Sequence, residues 1–549
     1  LIGIIVWVVR QKQNDSADYF LGGRDATWLA IGASIFASNI GSEHLIGLAG
    51  AGASSGMAMA HWEIQGWMIL ILGWVFVPFY TRSMVYTMPE FLERRYNPQS
   101  RTILSVISLV SYVLTKVAVT VYAGGLVFQQ VFGIKELWGI DFFWIAAIGL
   151  VVLTALYTIF GGMKSVLYTS VLQTPILLLG SLIILVLGFK ELGGWDEMMR
   201  VCGAVTINDY GDTMTNLIRS NDDANFPWLG ALIGSAIIGF WYWCTDQFIV
   251  QRVLSGKNEM EARRGTIFGA YLKLLPVFLF LIPGMIAFAL HQKYIGAGGE
   301  GFLPMLENGT ANADAAFPTL VAKLLPAGVK GLVVCGILAA LMSSLASLFN
   351  SSAMLFTIDF YKRFRPQTSE KKLVGIGQVA TVVIVILGIL WIPIMRSVGD
   401  VLYTYLQDVQ SVLAPGIAAA FLLGICWKRT SAQGGMWGLI SGMVIGLTRL
   451  GAKVYYSNAG EVADSTFKYL FYDMNWLFFC GWMFLFCIIV VIVVSLATEA
   501  PTAEKIQGLV FGTATKEQKA STRASWNHWD IIHTVIILAI TGAFYWYFW

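Results

Sequence analysis

Fourteen apolar stretches, most of them near 20 residues long, constrain what this chain can become. They lie near residues 1–10, 27–49, 57–80, 102–132, 141–161, 164–189, 228–250, 266–290, 328–360, 373–395, 399–427, 432–452, 473–496 and 531–549. A helix of about 20 residues rises roughly 30 Å, the hydrocarbon thickness of a bilayer. No water is available there, so a spanning backbone must satisfy its own hydrogen bonds, and these stretches read as helices. The expected fold class is therefore an all-α membrane protein with about 14 transmembrane helices and the lipid bilayer as its solvent. With 57% hydrophobic and only 13% charged residues, against roughly a quarter charged in soluble domains, the composition excludes a soluble enzyme. The 36 basic and 33 acidic residues nearly balance, which leaves no electrostatic footprint for nucleic acid.

The first stretch is half a span and reads as a helix truncated at its N-terminus, followed by a cytoplasmic link to residue 26. Basic residues collect on the cytoplasmic side of membrane proteins. If the first stretch exits there, 23 of the 36 Lys and Arg fall in inside loops and 11 in outside loops. The loop at 191–227 is then external, and 498–530 is a cytoplasmic linker before the last span. Cys244, Cys335, Cys426, Cys480 and Cys487 lie in apolar runs and Cys202 in a polar one, so no disulfide framework follows. Asn308-Gly309-Thr310 matches a glycosylation triplet, read as a chance occurrence. The expected location is the plasma membrane, multi-pass, with no obligatory protein partner.

Polar residues inside spans cost free energy and therefore point to function. Ser34 to His44 interrupts an otherwise apolar run. A helix broken there frees backbone carbonyls for an ion or a polar ligand; the bland alternative is a helix end. His61-Trp62-Glu63-Ile64-Gln65 sets a carboxylate beside an indole, suiting a hydroxyl-rich neutral ligand, or forms an interfacial belt. Lys273 either snorkels to the cytoplasmic edge or turns inward, where Glu63 is the partner charge predicts. Lys116 has no comparable partner in the sequence. Ala340, Ser343 and Ser344 share a helix face, so one carbonyl and two hydroxyls converge there; close helix packing is the alternative. No carboxylate neighbours these serines in sequence, and neutral oxygens suit a weakly held monovalent cation. Tyr403 to Gln410 and Trp241 to Gln247 place amides, acids and aromatics in two further spans, as site or as packing.

These blocks, with Ile46 to Gly50, Met88-Pro89-Glu90-Phe91, Tyr271-Leu272-Lys273-Leu274 and Met342 to Leu345, resemble the sodium/glucose cotransporter branch of the solute:sodium symporter family, over residues 17 to about 450. The resemblance implies a LeuT-type core of two inverted five-helix repeats, here 27–190 and 228–427, with peripheral helices in 428–549. It implies that the carbonyls of Ala37, Ile40 and Ala340 and the hydroxyls of Ser343 and Ser344 hold one sodium ion. It further implies that Asn39, His44, Glu63, Lys273 and Gln407 bond the sugar. Tyr242 and Trp243 would stack beneath the sugar as the inner gate, and Leu48, Trp62 and Tyr403 would cover it from outside. Ser170 and Ala346 depart from the pattern of members with a second sodium site. Gly239 stands where sugar-transporting members carry a polar side chain.

The expectation is a sodium-coupled symporter that imports a neutral monosaccharide such as glucose or galactose by alternating access, one sodium per sugar. Myo-inositol or another polyol, a carboxylate solute, and a sugar-gated sensor that does not translocate are the alternatives. An enzyme is not expected, since no nucleophile–base pair or metal-ligand spacing lies in the spans.

Overall fold

A computed structural model of the chain describes residues 15–41, 43–306, 309–396, 402–458 and 463–549. The stretch at 1–10 and Asn308 lie outside the described residues. Among those described, nine helical stretches are long and apolar enough to cross a membrane. This supports a multi-pass architecture without fixing the count at fourteen. Several stretches exceed one crossing. Phe142–Leu192 runs for 51 residues, about 77 Å if straight, more than twice the hydrocarbon core. It is folded at Gly162, whose backbone (φ 54°, ψ −149°) is non-helical, between the stretches expected at 141–161 and 164–189. A Cβ on Gly162 would lie 2.4 Å from the Tyr19 carbonyl, while the Tyr19 hydroxyl donates to the Ile159 carbonyl at 3.1 Å.

Two other helices break where the polar residues interrupt them. Trp28–Asn39 is apolar, lacks proline and is buried from Ala30 onward. It ends as Ile40 turns extended (φ −78°, ψ 98°) and the Ile40 N–H closes the last helical bond on Phe36 at 2.9 Å. Carbonyls from Ala37 onward lie beyond the helical ladder. The chain resumes in a wide π-turn, Glu43–Leu48, that feeds Ala49–Ser55. The second break follows Trp228–Gly239: a π-turn at Phe240–Thr245 ends at extended Asp246 (φ −76°, ψ 128°), whose carboxylate caps Gln247–Leu254. Trp28–Asn39 lies against Glu259–Lys273, where glycine allows close approach: a Cβ on Gly32 would sit 2.8 Å from the Gly265 carbonyl, and one on Gly265 2.6 Å from Ile31.

Loops assigned to one membrane face by charge meet one another. Arg24 donates to the Met84 and Val85 carbonyls, Arg101 pairs with Glu93 and Asp359, and Arg264 with Asp530. At the opposite face His61 contacts the Leu217 carbonyl, Lys293 the Leu192 carbonyl and Asn475 the Ala224 carbonyl.

The Gly162 elbow generates a prediction. Backbone in that region costs a side-chain-bearing residue about 1–3 kcal/mol, and the Tyr19 carbonyl cannot yield as a side chain would. Gly162→Ala is expected to melt several degrees below wild type in detergent by tryptophan fluorescence; equal melting would show that the elbow tolerates a side chain.

Candidate functional site

Four chain segments are joined by one buried polar network. Lys273, at the end of Glu259–Lys273, turns inward: its Nζ lies 2.6 Å from Glu63 Oε2 and donates to Asn39 Oδ1 at 3.1 Å. Asn39 Nδ2 donates to the Tyr242 hydroxyl at 3.1 Å, and His44 Nε2 stands 3.3 Å from Glu63 Oε2. Lys273 Nζ also lies 5.3 Å from the Trp243 ring centre, within cation–π range. Glu63 is 1% exposed and Lys273 3%, so neither charge reaches solvent. A buried pair is held only when geometry and hydrogen bonds offset desolvation, and here each charge has more than one partner.

The network borders a cavity lined by Asn39, His44, Trp62, Glu63, Tyr242, Trp243, Lys273 and Gln407, together with Glu43, Gln65, Ile238, Gly239 and Gln410. Three buried polar atoms on its lining, Gln407 Oε1, His44 Nδ1 and Trp62 Nε1, have no protein partner among the described residues. Buried polar atoms are normally bonded, so a wall carrying three such atoms suits a ligand with several hydroxyls. Aromatic rings form part of the lining. Trp62 stacks on Trp476 at 5.5 Å and meets Phe226 at 6.0 Å edge-on. Tyr242 and Trp243 meet edge-on at 4.9 Å. The structure brings together every residue expected to bond the solute. Leu48 is fully buried and is not among these lining residues. The Tyr403 side chain lies outside the described residues.

The two segments that carry the residues expected around sodium, the first break and Ala327–Met354, adjoin each other. Ser38 Oγ and Ser347 Oγ are 2.7 Å apart, and Ser347 Oγ donates to the Ser343 carbonyl at 2.7 Å. A Cβ on Gly41 would lie 3.0 Å from Ser344 Oγ and 2.6 Å from Glu43 Oε2. A carboxylate therefore does stand near the serine pair, although none adjoins it in sequence. Ala37, Ile40, Ala340, Ser343 and Ser344 are all buried. Ser170 Oγ donates to the Val166 carbonyl at 2.6 Å and lies 3.2 Å from Ser343 Oγ, so its hydroxyl is used within the protein.

The sodium:solute symporter family model matches residues 19–442. The sodium/myo-inositol cotransporter 2 of Homo sapiens is 37% identical over 527 residues, 93% of this chain and 77% of that one. The sodium/myo-inositol cotransporter of Canis lupus familiaris is 37% identical over 536 residues, 93% of this chain and 74% of its own. The chain belongs to the sodium:solute symporter family. A solved Na+-coupled sialic acid symporter in a substrate-bound, outward-open state aligns over 91% of this chain and 98% of its own, at 21% identity and a TM-score of 0.70. That likeness shows the fold: the LeuT-type core of two inverted five-helix repeats.

Within this symporter a second buried pair adjoins the lining residue Tyr242. Lys116 Nζ sits 2.5 Å from Asp246 Oδ2, the Tyr112 hydroxyl donates to Asp246 Oδ1, and Lys116 Nζ is 4.7 Å from the Tyr242 ring centre. Lys116 thus has a partner after all. The signal existed in the sequence, since two opposite charges in separate spans seek each other, but nothing there placed position 246 opposite 116. Arg252 is fully buried nearby, its Nε donating to Ser38 Oγ at 3.2 Å. Sequence reasoning also missed Gln65 and Glu43 as lining residues. Two side chains of the C-terminal helices reach this region: Trp476 stacks on Trp62, and the Tyr545 hydroxyl meets His61 Nδ1 at 2.9 Å.

The ion pair sets a test. Removing one member of a buried pair costs about 3–5 kcal/mol because the other charge is stranded. Lys273→Met is expected to lower the melting temperature of the purified symporter sharply, and adding Glu63→Gln to recover most of the loss. A double variant no more stable than the single one would mean the two charges are not energetically coupled.

Proposed function

We propose that this protein is a sodium-driven importer of a neutral cyclic polyol, myo-inositol or a close relative, working by alternating access in the plasma membrane with one sodium per solute. The observation that carries this reading is the cavity wall: the Glu63 carboxylate already held by Lys273 and His44, the carboxylate of Glu43, the four carboxamides of Asn39, Gln65, Gln407 and Gln410, an indole N–H and an imidazole nitrogen. Such a wall offers donors and acceptors without a free cation, which suits many hydroxyls and disfavours a carboxylate solute. The relatives at 37% identity are named for myo-inositol transport, which favours a polyol over the glucose or galactose first expected. Gly239 agrees with that shift, being a position without a hydroxyl contact.

In this reading the Ala37, Ile40 and Ala340 carbonyls and the Ser343 and Ser344 hydroxyls hold sodium, with Glu43 lowering the local potential. Asn39 and Ile40 are adjacent, so ordering the break around sodium also sets the Asn39 amide between Lys273 and Tyr242. By linkage, solute must then tighten sodium by the same factor. Trp62 closes the outer side and Tyr242 with Trp243 the inner side. Repeats at 27–190 and 228–427 supply the moving bodies. One charge crossing 100 mV releases about 2.3 kcal/mol and a tenfold sodium gradient about 1.4, together enough for a few hundredfold accumulation.

Proteoliposomes with the purified protein are expected to concentrate myo-inositol when sodium is outside and to fail when choline replaces it. Equal uptake in choline would overturn the sodium coupling. Ser344→Ala, which removes one hydroxyl worth about 1 kcal/mol, should raise the sodium concentration for half-maximal uptake about fivefold; an unchanged sodium curve would take Ser344 out of the cradle.

A further inference from the structure

We infer that Gln65 contacts the solute and sets which hydroxyl pattern the cavity accepts, and that Gly239 is the residue whose missing side chain makes room for it. The inference deepens the polyol reading and rests on it for the class of solute. A Cβ built on Gly239 would lie 2.5 Å from Gln65 Oε1, 2.9 Å from its Cδ and 3.0 Å from its Nε2. The three closest atoms are thus one carboxamide, which fills the volume that any larger residue at 239 would claim. That amide is clamped: Nε2 donates to the Ser235 carbonyl at 2.8 Å, and Oε1 accepts from Trp243 Nε1 at 3.3 Å. A carboxamide has two N–H donors and two lone pairs, so one donor and one acceptor remain on a side chain that lines the cavity and is 3% exposed. Gln407, from Leu402–Cys426, lines the same cavity with its Oε1 unpartnered. Two such amides each donate to one hydroxyl and accept from its neighbour. That pattern fits a ring with hydroxyls on consecutive carbons.

The clash at 239 falls on the far end of a flexible side chain and not on backbone. Adding a methyl group there should displace the Gln65 amide and leave the helices in place. Four proteins test this in sodium-loaded uptake: wild type, Gln65→Ala, Gly239→Ala and the double variant, with myo-inositol and D-glucose as probes. Sodium binding without solute is followed by tryptophan fluorescence. Gln65→Ala is expected to raise the myo-inositol KM at least tenfold, to change the ratio of myo-inositol to D-glucose uptake, and to leave solute-free sodium binding within twofold of wild type. Gly239→Ala should raise the same KM, but by less than twofold when Gln65 is already alanine. Should Gln65→Ala fail to fold, Gln65→Met, which keeps the volume and removes the polar atoms, replaces it in the cycle. An unchanged KM and solute ratio in the Gln65 variant would make Gln65 a helix brace only and overturn the inference; so would a Gly239→Ala effect of equal size in both backgrounds. A wild type that concentrates L-proline instead of either probe would overturn the polyol reading, and the same four proteins would then score Gln65 and Gly239 on L-proline.

Discussion

A charge inside a bilayer has no solvent to which it can retreat, and the Glu63–Lys273 contact is this protein's answer to that constraint. At 2.6 Å, with Asn39 and His44 completing the shell, the pair ties the broken first helix, the segment after it and the Glu259–Lys273 helix to one point. Removing any member leaves a group whose desolvation is no longer offset. The cavity exists because these segments must meet there. Its remaining polar atoms lie within reach of a ligand because the charges are already occupied with each other.

The same logic is repeated in the second buried pair. Asp246 stands at the second helix break, where it caps the following helix and receives Lys116 and Tyr112. Lys116 in turn lies over the Tyr242 ring, whose hydroxyl accepts from Asn39. Polar contacts thus run from the break at Ile40 to the break at Asp246 through Asn39, Tyr242 and Lys116. The first break adjoins Ala327–Met354, with Ser38 on Ser347 and Gly41 beside Ser344, so the proposed ion cradle and the solute wall share the segment 37–40. Sharing of that kind lets occupancy at one site bias the other without a long chain of intermediates.

Some of the site was legible from side-chain chemistry alone. Glu63 and Lys273 are 210 positions apart, yet a buried carboxylate and a buried ammonium have few stable choices other than each other. Gly162 falls between two stretches separated on length, because 51 residues cannot cross a bilayer once. Lys116 and Asp246 obey the same pairing rule but were not linked, since Asp246 is embedded in an aromatic segment that reads equally well as packing. Glu43 is far from Ser343 and Ser344 in sequence, and only the folded chain brings its carboxylate and the Ser344 hydroxyl to the same place beside Gly41.

What the sequence by itself determined is the membrane as solvent, the helical answer to it, and the identity of the polar residues that hydrocarbon would not tolerate without a purpose. Those follow from transfer free energies, which depend on residue type and run length and not on neighbours in space. Only the tertiary structure decided which of those residues face one cavity, that Gln65 occupies the room left by Gly239, and that a carboxylate stands by the serine pair. These depend on helix rotation and crossing, set by contacts between residues far apart in the chain, and a linear pattern does not carry that information.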